Sequence, residues 1–237
     1  MTGDADLVGT LRNGLAALAD PARAPEMQRY MKSAMPFRGV PTTARRRLVR
    51  DVLTDRTLTD RATWEATVRR LWDDAAVREE RYVAVDLCAH RSARAWQDVD
   101  TVPLYDHLVV TGAWWDHVDA VAIPLLGPIL RAAPAAMAPL VRRWSVDDDL
   151  WRRRTSIIVQ NGSKEATDVE LLADVVTSNM DDRRFFVAKA IGWALREHAK
   201  TDPAWVRAFV AAHADRLAPL SIREGLKHLG GSTDGSR

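Results

Sequence analysis

The sequence predicts an all-α chain, built as an α-α superhelix (solenoid) of degenerate helical hairpins with a concave face. Three observations predict it. Apolar residues recur at three- and four-residue spacing almost throughout the 237 residues, and no stretch of comparable quality alternates with period two. The connectors between these runs are short, which favours antiparallel helix neighbours. Finally, Trp72, Trp115, Trp151 and Trp193 fall 43, 36 and 42 positions apart, near the ~40 to 47 residue period of solenoids made of helical pairs. The period is loose, and a compact irregular helical bundle is the alternative on these patterns.

The elements follow in order. Leu7, Leu11, Leu15 and Leu18 mark a first amphipathic helix. Thr42 precedes the run TARRRLVRDVL and is expected to start the helix there, and VAVDLCAHR reads as a further helix. Val102, Leu104, Leu108 and Val109 mark another, after which TGAWWDHVDAVA reads as an ordinary buried helix. The apolar run AVAIPLLGPIL is interrupted by Pro124, Gly127 and Pro128 and is too short to span a bilayer. Ser145 is expected to open SVDDDLWRRR, with acids in the first turn and arginines in the next. Leu171, Leu172, Val175 and Val176 form one more stripe, and Asp202 caps a helix whose first residue is Pro203. Ten or more helices of ~8 to 20 residues are expected. Residues 1–229 read as a single domain, and 230–237, GSTDGSR with the preceding glycine, as a disordered tail.

Composition narrows the function classes. With 47% hydrophobic and 28% charged residues the chain is a globular protein with ample material for a core. Lys and Arg number 34 against 32 Asp and Glu, so net charge alone does not mark a nucleic-acid binder and the distribution must decide. The single cysteine, Cys88, excludes an internal disulfide and a cysteine-based zinc site, and reads as a buried thiol. The N-terminal residues carry acids where an export signal needs bases, so a cytoplasmic location is expected. No GxSxG, HExxH, CxxC or glycine-rich phosphate loop is present. Neither a metal nor a cofactor is expected, nor a membrane partner, and the protein is expected to be a monomer. Its chemistry must come from carboxylate, indole and guanidinium.

Such groups coincide in WWDHVDAV. Trp115 and Asp119 stand at i and i+4 and so on one helix face, an indole beside a carboxylate, while Trp114, Val118 and Val121 form a separate apolar stripe. A structural alternative makes both tryptophans core and Asp119 a cap for a neighbouring helix. Asp116 and His117 read as solvated or structural, since one histidine without a second ligand is no metal site. Basic residues cluster at Arg45, Arg46, Arg47 and Arg50, at Arg142 and Arg143, at Arg152, Arg153 and Arg154, and at Arg183 and Arg184. On a concave solenoid these clusters would line up along a phosphate backbone. A solvated charged face is the plainer reading of them, and Trp144 and Trp151 beside them read as core.

Taken together, MQRYMKSAMPFRGVPTTARRRLV, LWDDAAVREERYVAVDL, WWDHVDAV, LWRRRTSIIVQ, FFVAKAIGWALREHAK and APLSIREGLKHL resemble the AlkD-type DNA alkylation-repair glycosylases, in the family's order and over nearly the whole chain. The resemblance implies a superhelix of HEAT-like repeats that removes alkylated bases from DNA. It implies that Asp119 is the catalytic carboxylate, that Trp115 and Trp193 flank the lesion's deoxyribose, that Arg154 contacts DNA, and that Tyr30 is an aromatic near the same cleft. Arg45, Arg46, Arg47 and Arg153 join Arg154 as expected DNA-binding residues. VQNGSKEATD departs from a stretch often lysine-rich in relatives, which weakens the expectation of backbone contacts from residues 160–168.

The substrate so implied is duplex DNA carrying 7-methylguanine or 3-methyladenine. A base alkylated there is cationic and leaves as a neutral molecule, so no acid need protonate it. The protein's task is to stabilise a sugar turning positive and to guide a water to C1′. The resemblance further implies attack without base flipping and, with no lysine assigned as nucleophile, no strand cleavage. Two other readings stand beside it: a noncatalytic binder of bent, branched or damaged DNA, and a helical scaffold for proteins.

Overall fold

The structure is a computed structural model, and it describes residues 3–54, 56 and 58–229. The expected tail at 230–237 lies outside the described residues. Among these, fourteen α-helices are joined by short 3₁₀ turns and loops, with no strand, so the all-α class stands. The chain divides into two compact units, the first ending at Leu104 and the second beginning at Tyr105. Among the described residues no helix is long and apolar enough to cross a membrane.

The first unit contains α1 (Ala5–Ala17), α2 (Ala24–Met31), α3 (Thr42–Val52), α4 (Arg61–Asp73) and α5 (Arg78–Ala89). Its core joins Leu7, Leu11 and Leu15 to Trp64, Leu71, Trp72 and Leu87. Cys88 is buried there, and burial pushes its thiol pKa up. Asp4 and Asp60 cap α1 and α4, accepting from Leu7 N at 2.9 Å and Thr63 N at 2.8 Å. Thr42 does not cap α3. It is the helix's first residue, and the extended residue before it is Pro41, whose fixed φ suits a helix entry. The fully buried Glu79 accepts the backbone N–H groups of Arg38, Gly39 and Val40, so the α2–α3 loop folds around its carboxylate. Gly39 makes this possible: its φ is +83°, and a Cβ there would lie 2.1 Å from Asp20 O.

The second unit takes in most of α6 (Val102–Gly112) and then α7 (Trp115–Val121), α8 (Gly127–Ala132), α9 (Pro134–Ser145), α10 (Leu150–Ile158), α11 (Val169–Thr177), α12 (Phe185–His198), α13 (Pro203–Ala212) and α14 (Pro219–Gly225). Ile157, Ile158, Leu172, Val176, Val187, Ile191 and Leu195 form its core. Here the structure departs from two expectations. TGAWWDHVDAVA is not one helix: α6 ends at Gly112, Ala113 turns into the left-handed region at φ +41°, Trp114 is extended, and α7 starts at Trp115. Ser145 closes α9 rather than opening α10. Its hydroxyl donates back to Arg142 O at 2.7 Å, and Asp149 is the cap, accepting from Trp151 N and Arg152 N at 2.8 and 2.9 Å. Asp202 caps α13 as expected, through Trp205 N at 2.9 Å.

Candidate active site

Three helices of the second unit bring Trp115, Asp119, Arg154 and Trp193 together. An aromatic cluster fixes them: Trp114, at the entry to α7, packs 6.2 Å from Trp151 of α10 and 5.4 Å from Phe186 of α12, and those two rings lie 5.1 Å apart. The break at Ala113 is what turns Trp114 into this cluster and starts α7 afresh at Trp115. After α7 the chain passes through a π-helical turn, Ala122–Leu126, which holds Pro124.

A cavity of about 320 Å³ opens beside these helices, lined by Trp115, Asp119, Arg154, Phe185, Phe186, Lys189, Trp193 and Arg196. Asp119 meets Arg154 in a two-pronged ion pair, Nε to Oδ1 at 2.8 Å and Nη2 to Oδ2 at 2.9 Å, and Arg154 Nη1 donates to Phe186 O at 2.8 Å. The side chains of Arg154 and Asp119 are 4% and 15% exposed. Burial pushes the Asp119 carboxyl above the usual aspartate value, and the two bonds from Arg154 pull it part of the way back. Asp119 thus caps no neighbouring helix; it is a nearly buried carboxylate with one edge on a cavity walled by two indoles.

The geometry changes what Arg154 can do. Its Nε, Nη1 and Nη2 donate to Asp119 and the Phe186 carbonyl, so it is held against the carboxylate at the cavity wall. Arg45 is likewise buried, paired with Asp86 at 2.6 Å and lying over the Tyr82 ring at 4.8 Å, so it is packing in the first unit. Arg153 is mostly covered, its Nε donating to Asp147 O at 2.5 Å. Arg46 and Arg47 are exposed, Arg46 with its Nε 3.4 Å from Asp86 Oδ1, and Tyr30 is 75% exposed on α2. Two further clustered arginines are also held by acids, Arg142 by Asp174 at 2.7 Å and Arg152 by Asp106 at 2.7 Å. His117 is fully buried, and Trp144 and Trp151 are core as expected. Among the described residues no group of three or more His, Cys, Asp and Glu is placed to hold a metal ion.

Sequence reasoning missed Phe185, Phe186, Lys189 and Arg196. The signal was present: Phe185, Lys189, Trp193 and Arg196 are spaced by four, four and three, one stripe of α12 running through a residue already singled out.

Residues 11–229 match the family model of the DNA alkylation repair enzymes. No curated protein matches the chain. A solved structure of a predicted DNA alkylation repair enzyme from Enterococcus faecalis is similar to it at 29% identity and a TM-score of 0.80, over 90% of this chain and 98% of that one.

Proposed function

The chain belongs to the DNA alkylation repair enzyme family, and from that premise we propose that it is a monofunctional DNA glycosylase, hydrolysing the N-glycosidic bond of 7-methylguanine and 3-methyladenine in duplex DNA as a monomer without flipping the base. The observation that carries this reading is the Asp119 carboxylate, held by Arg154 and opening onto a cavity walled by Trp115 and Trp193.

In the proposed reaction the cationic base leaves as a neutral molecule and positive charge moves to the deoxyribose. Ionised Asp119 stabilises that charge and accepts a proton from the water that attacks C1′. The faces of Trp115 and Trp193 attract the same charge, by ~1 to 2 kcal/mol each when desolvated. Arg154 is a positioning residue: its fork fixes both carboxylate oxygens and keeps Asp119 ionised against the pull of burial. Exposed Arg46 and Arg47 are proposed phosphate contacts, and exposed Tyr30 a proposed aromatic contact to DNA.

A noncatalytic binder has no use for a buried carboxylate, which opposes DNA's charge and whose ionisation burial disfavours. The test is release of free base from duplex DNA containing 7-methylguanine, repeated with Asp119→Asn. Release by the wild type, reduced about 100-fold or more in the variant, is expected. Tight binding of the same duplex with no release by the wild type would overturn the glycosylase reading.

A further inference from the structure

Behind the cavity wall stands a carboxylate that does not line it. Glu224 of α14 accepts Lys189 Nζ at 2.8 Å on Oε1 and Arg196 Nη1 on Oε2. Both cations are cavity-lining residues, and they bracket Trp193 on α12 at four residues before and three after. Their ends meet one carboxylate, so they are held within a few ångströms of each other, where like charges repel unless an anion sits between them. The cations in turn hold the Glu224 carboxyl below its usual value, the Lys189 hydrogen bond first.

The approach of α14 to α12 is fixed by side-chain size. A Cβ on Gly192 would lie 2.5 Å from Glu224 Cβ and 3.0 Å from Ser221 O, so only glycine admits this contact. Ser221 Oγ, fully buried, donates to Ala188 O at 2.8 Å across the same interface. Glu224 therefore projects from a helix clamped at two points, and its reach to Lys189 and Arg196 is set by the backbone.

We propose, resting on the glycosylase reading, that Glu224 is a positioning residue for base release: it locks Lys189 and Arg196 beside Trp193 as a two-cation seat for one backbone phosphodiester and offsets one of their charges beside a sugar that turns positive. The chemistry argues for geometry over attraction. A carboxylate near a DNA-binding wall weakens phosphate attraction, so its removal should tighten nonspecific binding. A seat whose cations wander, and whose net charge rises, would hold the strand while placing the deoxyribose poorly against Asp119.

Binding and chemistry therefore separate in Glu224→Gln. Titration of undamaged duplex by fluorescence anisotropy is expected to give equal or tighter affinity, while single-turnover release of 7-methylguanine at saturating enzyme slows about tenfold, with thermal melting confirming the fold. Release at the wild-type rate, or release and affinity falling together, would overturn the proposal. Glu224→Asp keeps the charge and shortens the reach, so slowed release with unchanged affinity is expected of it, and wild-type release by Glu224→Asp counts against the positioning role. In a Lys189→Met background, adding Glu224→Gln should cost less than in the wild type, because part of its effect runs through Lys189; a full multiplicative loss would contradict that route. Failure of the wild type to release base overturns the glycosylase reading and this inference together, whereas wild-type release matched by the Glu224 variants overturns this inference alone.

Discussion

Replacing Arg154 by methionine removes the two charge-assisted bonds, at 2.8 and 2.9 Å, that oppose the effect of burial on Asp119. An opposite charge this near favours the ionised carboxylate, so its loss should raise the Asp119 pKa further above the ordinary aspartate value. Asp119 works ionised, so in the wild type activity falls as the pH drops through a pKa already above the ordinary aspartate value. In Arg154→Met that acid limb moves to higher pH, and below it the rate drops about tenfold per pH unit. The assay is single-turnover base release from 7-methylguanine DNA across about pH 5 to 9, below the variant's melting temperature, since opening a buried ion pair costs ~3–5 kcal/mol of stability. Recovery of rate at the alkaline end identifies Arg154 as acting through Asp119. An acid limb that stays in place, with a loss equal at every pH, would refute the reasoning and return Arg154 to a direct role on DNA.

Five further outcomes rest on the same geometry. Gly192→Ala should gain ~1 kcal/mol from helix propensity alone, but its Cβ would strike Glu224 and Ser221, so a net loss of ~1–3 kcal/mol by urea denaturation is expected, and a more stable variant would deny the close approach of α14. Uracil, which leaves as an anion rather than a neutral molecule, should not be released from duplex DNA, and borohydride should trap no covalent complex with abasic DNA because the Lys189 ammonium is engaged by Glu224; trapping that Lys189→Met abolishes would show a lyase. Arg47→Ala should lessen the slope of log affinity against log salt by about one contact's worth without moving the melting point, whereas Arg45→Ala should lower the melting point, since Arg45 is buried on Asp86.

The helical class was legible because a 3.6-residue period persists through nearly every segment, and Asp119 with Trp115 was legible because both partners lie within one turn. What the sequence hid depended on distance or on backbone. Arg154 finds Asp119 across 35 positions, a pairing no local pattern carries. Arg45, Arg142 and Arg152 likewise pair with acids distant in the sequence: with 34 Lys and Arg and 32 Asp and Glu in the chain, most clustered arginines find carboxylates once it folds. SVDDD offers several capping side chains, and only geometry selects Asp149 over Ser145. The break before α7 was hidden because Ala113 takes a left-handed φ that glycine usually marks, although Gly112 stands beside it.

That break is also where the cost of the site is met. A carboxyl whose folded pKa lies above its unfolded one holds more protons in the fold than in the open chain, so its contribution favours folding at low pH and is lost as pH rises through the raised value. At neutral pH the ionised Asp119 therefore opposes folding, and something nearby must compensate. The rings of Trp114, Trp151 and Phe186 pack against one another across the same three helix segments, with Phe186 also lining the cavity, and each such contact adds ~0.5–1.5 kcal/mol beyond the area it buries. One turn of irregular backbone at Ala113 thus sends Trp114 toward the packing and Trp115 toward the cavity. The adjacent tryptophans divide the work: the first holds the helices together so that the second can stand beside a charge the fold would otherwise expel.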